Sequence, residues 1–125
     1  MKSALLLALP AVLLALPASA ATLHVSAETG ESFRKADGSK AKPWKDLQVA
    51  LNKAQPGDTI LVAKGNYLGT SDQGYLTMTI PVTIKGGYST DFASRDVLKN
   101  RTLVQPTTAQ NGTSRSFALL SIGDP

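Results

Sequence analysis

The sequence has no cysteine, one histidine, one tryptophan and only 6% aromatic residues in 125. Without cysteine, no disulfide can staple the fold and no thiol can carry a lipid anchor. Stability must then come from packing and from backbone ladders. The single histidine, His24, has no second imidazole with which to build a metal site. It reads as a surface or half-buried strand histidine. Zinc spacing, a phosphate-binding glycine loop and Gly-x-Ser-x-Gly are all missing. No apolar run reaches the roughly 20 residues of a membrane-spanning helix. The formal charge is a mild +4. Arg34, Lys35, Lys40, Lys42 and Lys45 fall in one stretch, but Gly, Ser and Asp dilute them. That pattern reads as a solvated loop, with no nucleic-acid partner.

What is present begins with a leader. Lys2 is a short positive start, and residues 4–16 are apolar with a break at Pro10. Small residues at Ala18, Ser19 and Ala20 then suit a cleavage site. Residues 1–20 therefore read as a secretory signal peptide cut after Ala20. No membrane span is expected once it is removed. Residues 21–125 form one small domain with one core. Loss of Lys2 lowers the formal charge from +4 to +3. The expected location is periplasmic, extracellular or cell surface.

The mature part is mainly β around one helix. Residues 22–26 alternate weakly as a short strand. Residues 27–42 are polar and nearly aperiodic. Loops of that length are either functional or disordered, and the sequence leaves both open. Residues 44–54 carry an apolar stripe at Leu47, Ala50, Leu51 and Ala54, the i, i+3, i+4, i+7 pattern of an amphipathic helix. Pro43 suits its start, and Pro56-Gly57 stops it. Asp58 is expected to order that turn.

Ile60 to Ala63 is a continuous apolar run that reads as a strand covered on both faces. Tyr75 to Ile80 alternates cleanly, Pro81 breaks it, and Val82 to Lys85 starts a further strand. Gly86-Gly87 is expected to turn the chain. Leu103-Val104 and residues 116–122 give two more strands. Ile60, Val82 and Val104 recur every 22 residues, a period in the range of stacked repeats.

The wording of residues 42–51 (Lys-Pro-Trp-Lys-Asp-Leu-Gln-Val-Ala-Leu), 55–62 (Gln-Pro-Gly-Asp-Thr-Ile-Leu-Val) and 65–67 (Gly-Asn-Tyr) resembles the opening of secreted right-handed parallel β-helix proteins of the pectate-lyase-like kind. Val82-Thr83-Ile84-Lys85-Gly86-Gly87-Tyr88, with Asp91-Phe92 and Arg95-Asp96, is similar to a second landmark of that family. The resemblance spans residues 23 to about 105. Lys64 stands where many relatives have Pro, and Asn66 where many have Thr. The resemblance implies about three coils of a β-helix, with the helix as a cap on its N-terminal end and more coils to follow. A cap is what a solenoid needs where its first coil has no neighbour.

Lyases of that superfamily are expected to use an Arg or Lys base with calcium held by several Asp on later coils. Here the acids at Asp37, Asp46, Asp58, Asp72, Asp91, Asp96 and Asp124 are scattered. Asp91, Arg95 and Asp96 form the one dense polar group, and they read as a loop-fixing ion pair. No catalytic, cofactor-binding or metal-ligating residue is assigned, and no cofactor is expected. The expected function is a secreted β-helix module with a polysaccharide-associated binding or structural role. One alternative is the N-terminal part of a polysaccharide lyase or other glycan-degrading enzyme whose active site lies beyond residue 125. A weaker one is a cell-surface adhesin passenger. The expected partner is a polysaccharide or cell-surface glycan, with self-association through an open C-terminal coil.

Overall fold

The computed structural model describes residues 19–70, 74–106 and 120–122. Most of the expected leader lies outside these residues. So do the loop at 107–115, the first half of the last expected strand, and Asp72 and Asp124.

The described chain is mainly β, with one short helix. Its strands are β1 (Thr22–Val25), β2 (Thr59–Ala63), β3 (Gly65–Leu68), β4 (Leu76–Met78), β5 (Thr83–Tyr88), β6 (Thr102–Gln105) and β7 (Leu120–Ile122). They form three small sheets and no closed barrel. The first has the order β1-β2-β5, the second pairs β3 with β6, and the third pairs β4 with β7. All of these ladders are parallel. Parallel neighbours cannot be joined by a tight hairpin, which accounts for the long polar connections in the sequence.

Like residues align at some positions of the register. Thr22, Thr59 and Thr83 stand in one row, and Leu23, Ile60 and Ile84 in the next. Ile60 pairs with Ile84, Tyr67 with Val104 and Leu76 with Leu120. The three offsets are therefore 24, 37 and 44 residues. The 22-residue spacing of Ile60, Val82 and Val104 is not the stacking repeat. The connections between successive strands differ in length, so no single sequence period survives.

Helix α1 (Leu47–Lys53) is shorter than its apolar stripe suggested. Trp44 is not helical, because its backbone is committed elsewhere. It bridges both Val25 and Glu31. Its N–H donates to the His24 carbonyl at 3.0 Å, and its carbonyl accepts from the Ser26 N–H at 2.9 Å. The indole N–H donates to the Ala36 carbonyl at 3.2 Å. The stripe itself packs as expected: Leu47, Ala50, Leu51 and Ala54 are buried against Val25, Ile60, Val62, Tyr67 and Leu76. Gln48 is buried with them. Its amide N–H donates to the Asn52 side chain at 2.9 Å and to the Thr77 carbonyl at 3.0 Å, and its carbonyl oxygen accepts from the Thr77 N–H at 2.8 Å.

One reading left open is narrowed and one expectation changes. The polar segment 27–42 is tied down by backbone hydrogen bonds: Glu31 N–H to Pro43, Lys45 N–H to Glu31 and Gly38 N–H to Lys42. It wraps the tryptophan, and Gly38 lies so close that a β-carbon there would come within 2.4 Å of the indole. Gly86-Gly87 does not turn the chain. Strand β5 runs through both glycines with a register shift, a β-bulge in which Gly87 takes φ +87°. A β-carbon at Gly87 would sit 2.7 Å from a Val97 methyl, so the bulge also admits the following loop.

Candidate functional site

Among the described residues, no group of three or more His, Cys, Asp or Glu side chains could hold a metal ion. Among the described aspartates, Asp37, Asp91 and Asp96 are occupied by groups of their own loops. Asp37 accepts from the Ser39 N–H at 2.9 Å, and hydrogen bonding from the Ser39 side chain first, then from that N–H, holds its carboxyl below the usual range. Asp91 accepts from the Ser89 hydroxyl at 2.6 Å and the Ala93 N–H at 3.1 Å, which lowers its pKa likewise. Asp96 accepts from the Leu98 and Lys99 N–H groups at 3.0 and 3.1 Å. Asp46 occupies the N-cap position of α1 but makes no side-chain cap bond.

The expected ion pair among Asp91, Arg95 and Asp96 does not form. Arg95 donates from Nε to the Gly86 carbonyl at 2.9 Å and lies over the Tyr88 ring at 5.9 Å. Asp96 meets Lys99 at 4.0 Å, an exposed contact that contributes little. Asp91 and Asp96 take N–H partners within their own loop, as Asp in turns commonly does, and Arg95 takes a strand carbonyl.

His24 is half-buried on β1, as expected of a strand histidine. Its Nδ1 lies 3.2 Å from the Gly38 carbonyl, and its ring meets Phe92 edge-on at 4.8 Å between centroids. Phe92 holds a positive φ of 58° to reach that position.

Asp58 does more than order the Pro-Gly turn. It is 4% exposed. One carboxylate oxygen accepts from the Gln55 N–H at 2.8 Å, and the other reaches 37 positions back to the Ala21 N–H at 2.8 Å. These two donors, Gln55 first, hold its pKa below the ordinary value against the opposing effect of burial.

An open groove of about 480 Å³ lies where β3 passes the entry to α1. Ala27, Tyr67 and Gly69 are part of its lining, and Lys45, Asp46, Asn66, Leu68 and Thr70 are exposed along it. Tyr67 faces inward and is 3% exposed. Its hydroxyl donates to the Ala63 carbonyl at 2.8 Å and accepts from the Ala27 N–H at 3.1 Å. Burial pushes that phenol up to about 12. Tyr67 is thus a structural post rather than a proton carrier.

Alternation along β3 puts Asn66 and Leu68 outside when Tyr67 points in. Leu68 is 50% exposed beside an amide, a hydroxyl and two opposite charges. Sequence reasoning missed this groove because its residues come from three separate stretches. One signal was available: an outward leucine directly after an inward tyrosine. The arrangement can offer hydrogen bonds and an apolar wall to a polar ligand, but among the described residues it contains no nucleophile paired with a base. Comparison with family models, with curated proteins and with solved structures found no match for this chain.

Proposed function

We propose that this chain is a secreted module in which α1 lids the first coils of a right-handed parallel β-helix, with a polysaccharide-associated binding or structural role. The observation that carries the reading is the strand order. Strands β2, β3 and β4 visit three sheets in turn, and β5, β6 and β7 visit the same sheets in the same order, always in parallel. That order supports a chain winding twice around one axis, with β1 as an additional layer in the first sheet. Parallel crossovers are right-handed by general rule. The lid is supported by the apolar face that α1 lays on the core and by the Gln48 amide on the β4 backbone.

The groove at Asn66, Leu68 and Thr70 supports the binding role. Sugars present hydroxyls for amides and hydroxyls to grip, and C–H faces that suit an aliphatic wall. A volume of about 480 Å³ lies within the range of small-ligand sites, roughly 300–1,000 Å³. The resemblance to pectate-lyase-like proteins makes a uronic-acid polymer the first ligand to try. Exported protein run through gels containing polygalacturonate should be retarded relative to gels without it. Asn66→Ala and Leu68→Asp should restore free migration. Unretarded wild-type protein would remove the binding role, and unsaturated sugar products in the presence of calcium would replace it with catalysis.

A further inference from the structure

We propose that Asp58 is a receptor for the chain's own processed N-terminus: an α-ammonium at Ala21, released by cleavage after Ala20, that pairs with the Asp58 carboxylate and locks β1 onto the first sheet. The proposal rests on the secretory part of the reading above.

The geometry is already in place. Asp58 is almost fully buried, yet among the described residues no lysine, arginine or histidine pairs with it. Its partners are two backbone N–H groups, from Gln55 and Ala21, each at 2.8 Å. The Ala21 nitrogen belongs to the bond that the leader sequence marks for cutting. The Ala21 carbonyl is held as well, accepting from the Thr59 N–H at 2.9 Å. Residues 19–22 are exposed, so the new terminus needs no buried space.

Hydrolysis supplies the charge. Water adds to the Ala20 carbonyl carbon, the C–N bond to Ala21 breaks, and Ala20 leaves as a carboxylate. The freed amine keeps its hydrogen, takes another from the water and is protonated at neutral pH. A neutral N–H bond to a carboxylate thereby becomes an ammonium–carboxylate pair at the same atom. Charge-assisted bonds are the stronger kind, and burial of one partner limits screening. Strand β1 is an edge strand of four residues at what becomes a chain end, where strands ordinarily fray. Fixing its first residue at both nitrogen and carbonyl opposes that fraying. Cleavage would then complete the fold as well as release it.

The test uses protein exported from the full precursor. Intact mass and N-terminal sequencing establish where the mature chain starts. A start elsewhere than Ala21 overturns the proposal at the cleavage step and leaves the parallel-coil reading standing. With Ala21 first, the amine is titrated by NMR through the Ala21 methyl. Its pKa should lie above the ordinary value of about 7.7–8.0 and return to it in Asp58→Asn. A second variant guards against loss of folding in the first: one glycine inserted before Ala21 moves the ammonium away while leaving Asp58 intact. That variant should show an ordinary amine and faster hydrogen exchange at the β1 amides. An amine titrating in the ordinary range in wild-type protein, with β1 exchange unchanged by the insertion, overturns the clasp.

Discussion

The side chain of Gln48 pairs with the backbone of Thr77 as a neighbouring strand would, donating to its carbonyl at 3.0 Å and accepting from its N–H at 2.8 Å. On its other side, β4 is paired with β7, Thr77 standing opposite Ser121. One amide on the helix thus occupies hydrogen-bonding groups that a strand edge would otherwise present to water or to another chain. Helix α1 closes the end of the third sheet with a polar contact as well as an apolar one.

That pairing predicts a graded response at position 48. Gln48→Leu keeps the bulk but leaves the Thr77 N–H and carbonyl unpaired. Stability should fall by about 1–3 kcal/mol in urea or thermal melts. Gln48→Glu restores the acceptor but, when ionised, cannot donate to the carbonyl. Its deficit should therefore be larger at pH 7 than near pH 4, where the acid form can donate again. Equal stability of Gln48→Leu and wild type would show that water satisfies Thr77 equally well.

The absence of native cysteine makes the strand register directly testable. Thr59 and Thr83 are paired residues on adjacent parallel strands. Neighbouring strands lie about 4.8 Å apart, within the reach of a disulfide. The double variant Thr59→Cys/Thr83→Cys should oxidise to an intramolecular disulfide, seen as a gel shift reversed by reductant. Thr59→Cys/Pro81→Cys, the pair demanded by a 22-residue repeat, should not. Cross-linking of the second pair in place of the first would overturn the register.

Tyr67 supplies an alkaline signature. Its phenol titrates normally near 10.0 but is raised to about 12, first by burial and also by the charge of Glu28, against the Ala27 N–H bond that lowers it. In that interval the folded chain keeps a proton that the unfolded chain has released. The contribution is fully present below pH 10 and is lost as pH rises through 12. Absorbance titration should show one of the three tyrosines ionising late. Tyr67→Phe should abolish that phase and cost about 1–3 kcal/mol at neutral pH, because the Ala27 N–H and Ala63 carbonyl lose their partner.

Local patterns in the sequence carried well where a single stretch decides the outcome. The stripe at Leu47, Ala50, Leu51 and Ala54 gave the buried helix face, and Ile60 and Val62 are fully buried. Features made by distant pairing were not legible. Trp44 looked helical because it extends the stripe, yet bonds to His24 and Ser26 hold it extended. Gly86-Gly87 looked like a turn because glycine pairs usually are, and only the partner strand β2 reveals a bulge. The Asp58 bond to Ala21 spans 37 positions, and no local rule anticipates it. The groove was hidden for the same reason.

The outer strand of the first sheet predicts association. Ile84 is paired with Ile60 in the first sheet, but Ile60 is fully buried whereas Ile84 is 37% exposed. In the order β1-β2-β5, strand β5 has a free edge beside that isoleucine among the described residues. Gly86 and Gly87 are already covered on that side by Arg95, Thr102 and Asp96, which leaves the short stretch at the exposed Ile84 as a template for another strand. A second copy of the chain supplies one in purified protein. Sedimentation should show the weight-average mass rising with concentration. Ile84→Glu places a charge on that edge and should return the protein to monomer, with its melting temperature little changed because the side chain is already part exposed. Wild-type protein that stays monomeric up to high concentration would mean that the edge is guarded by the chain itself.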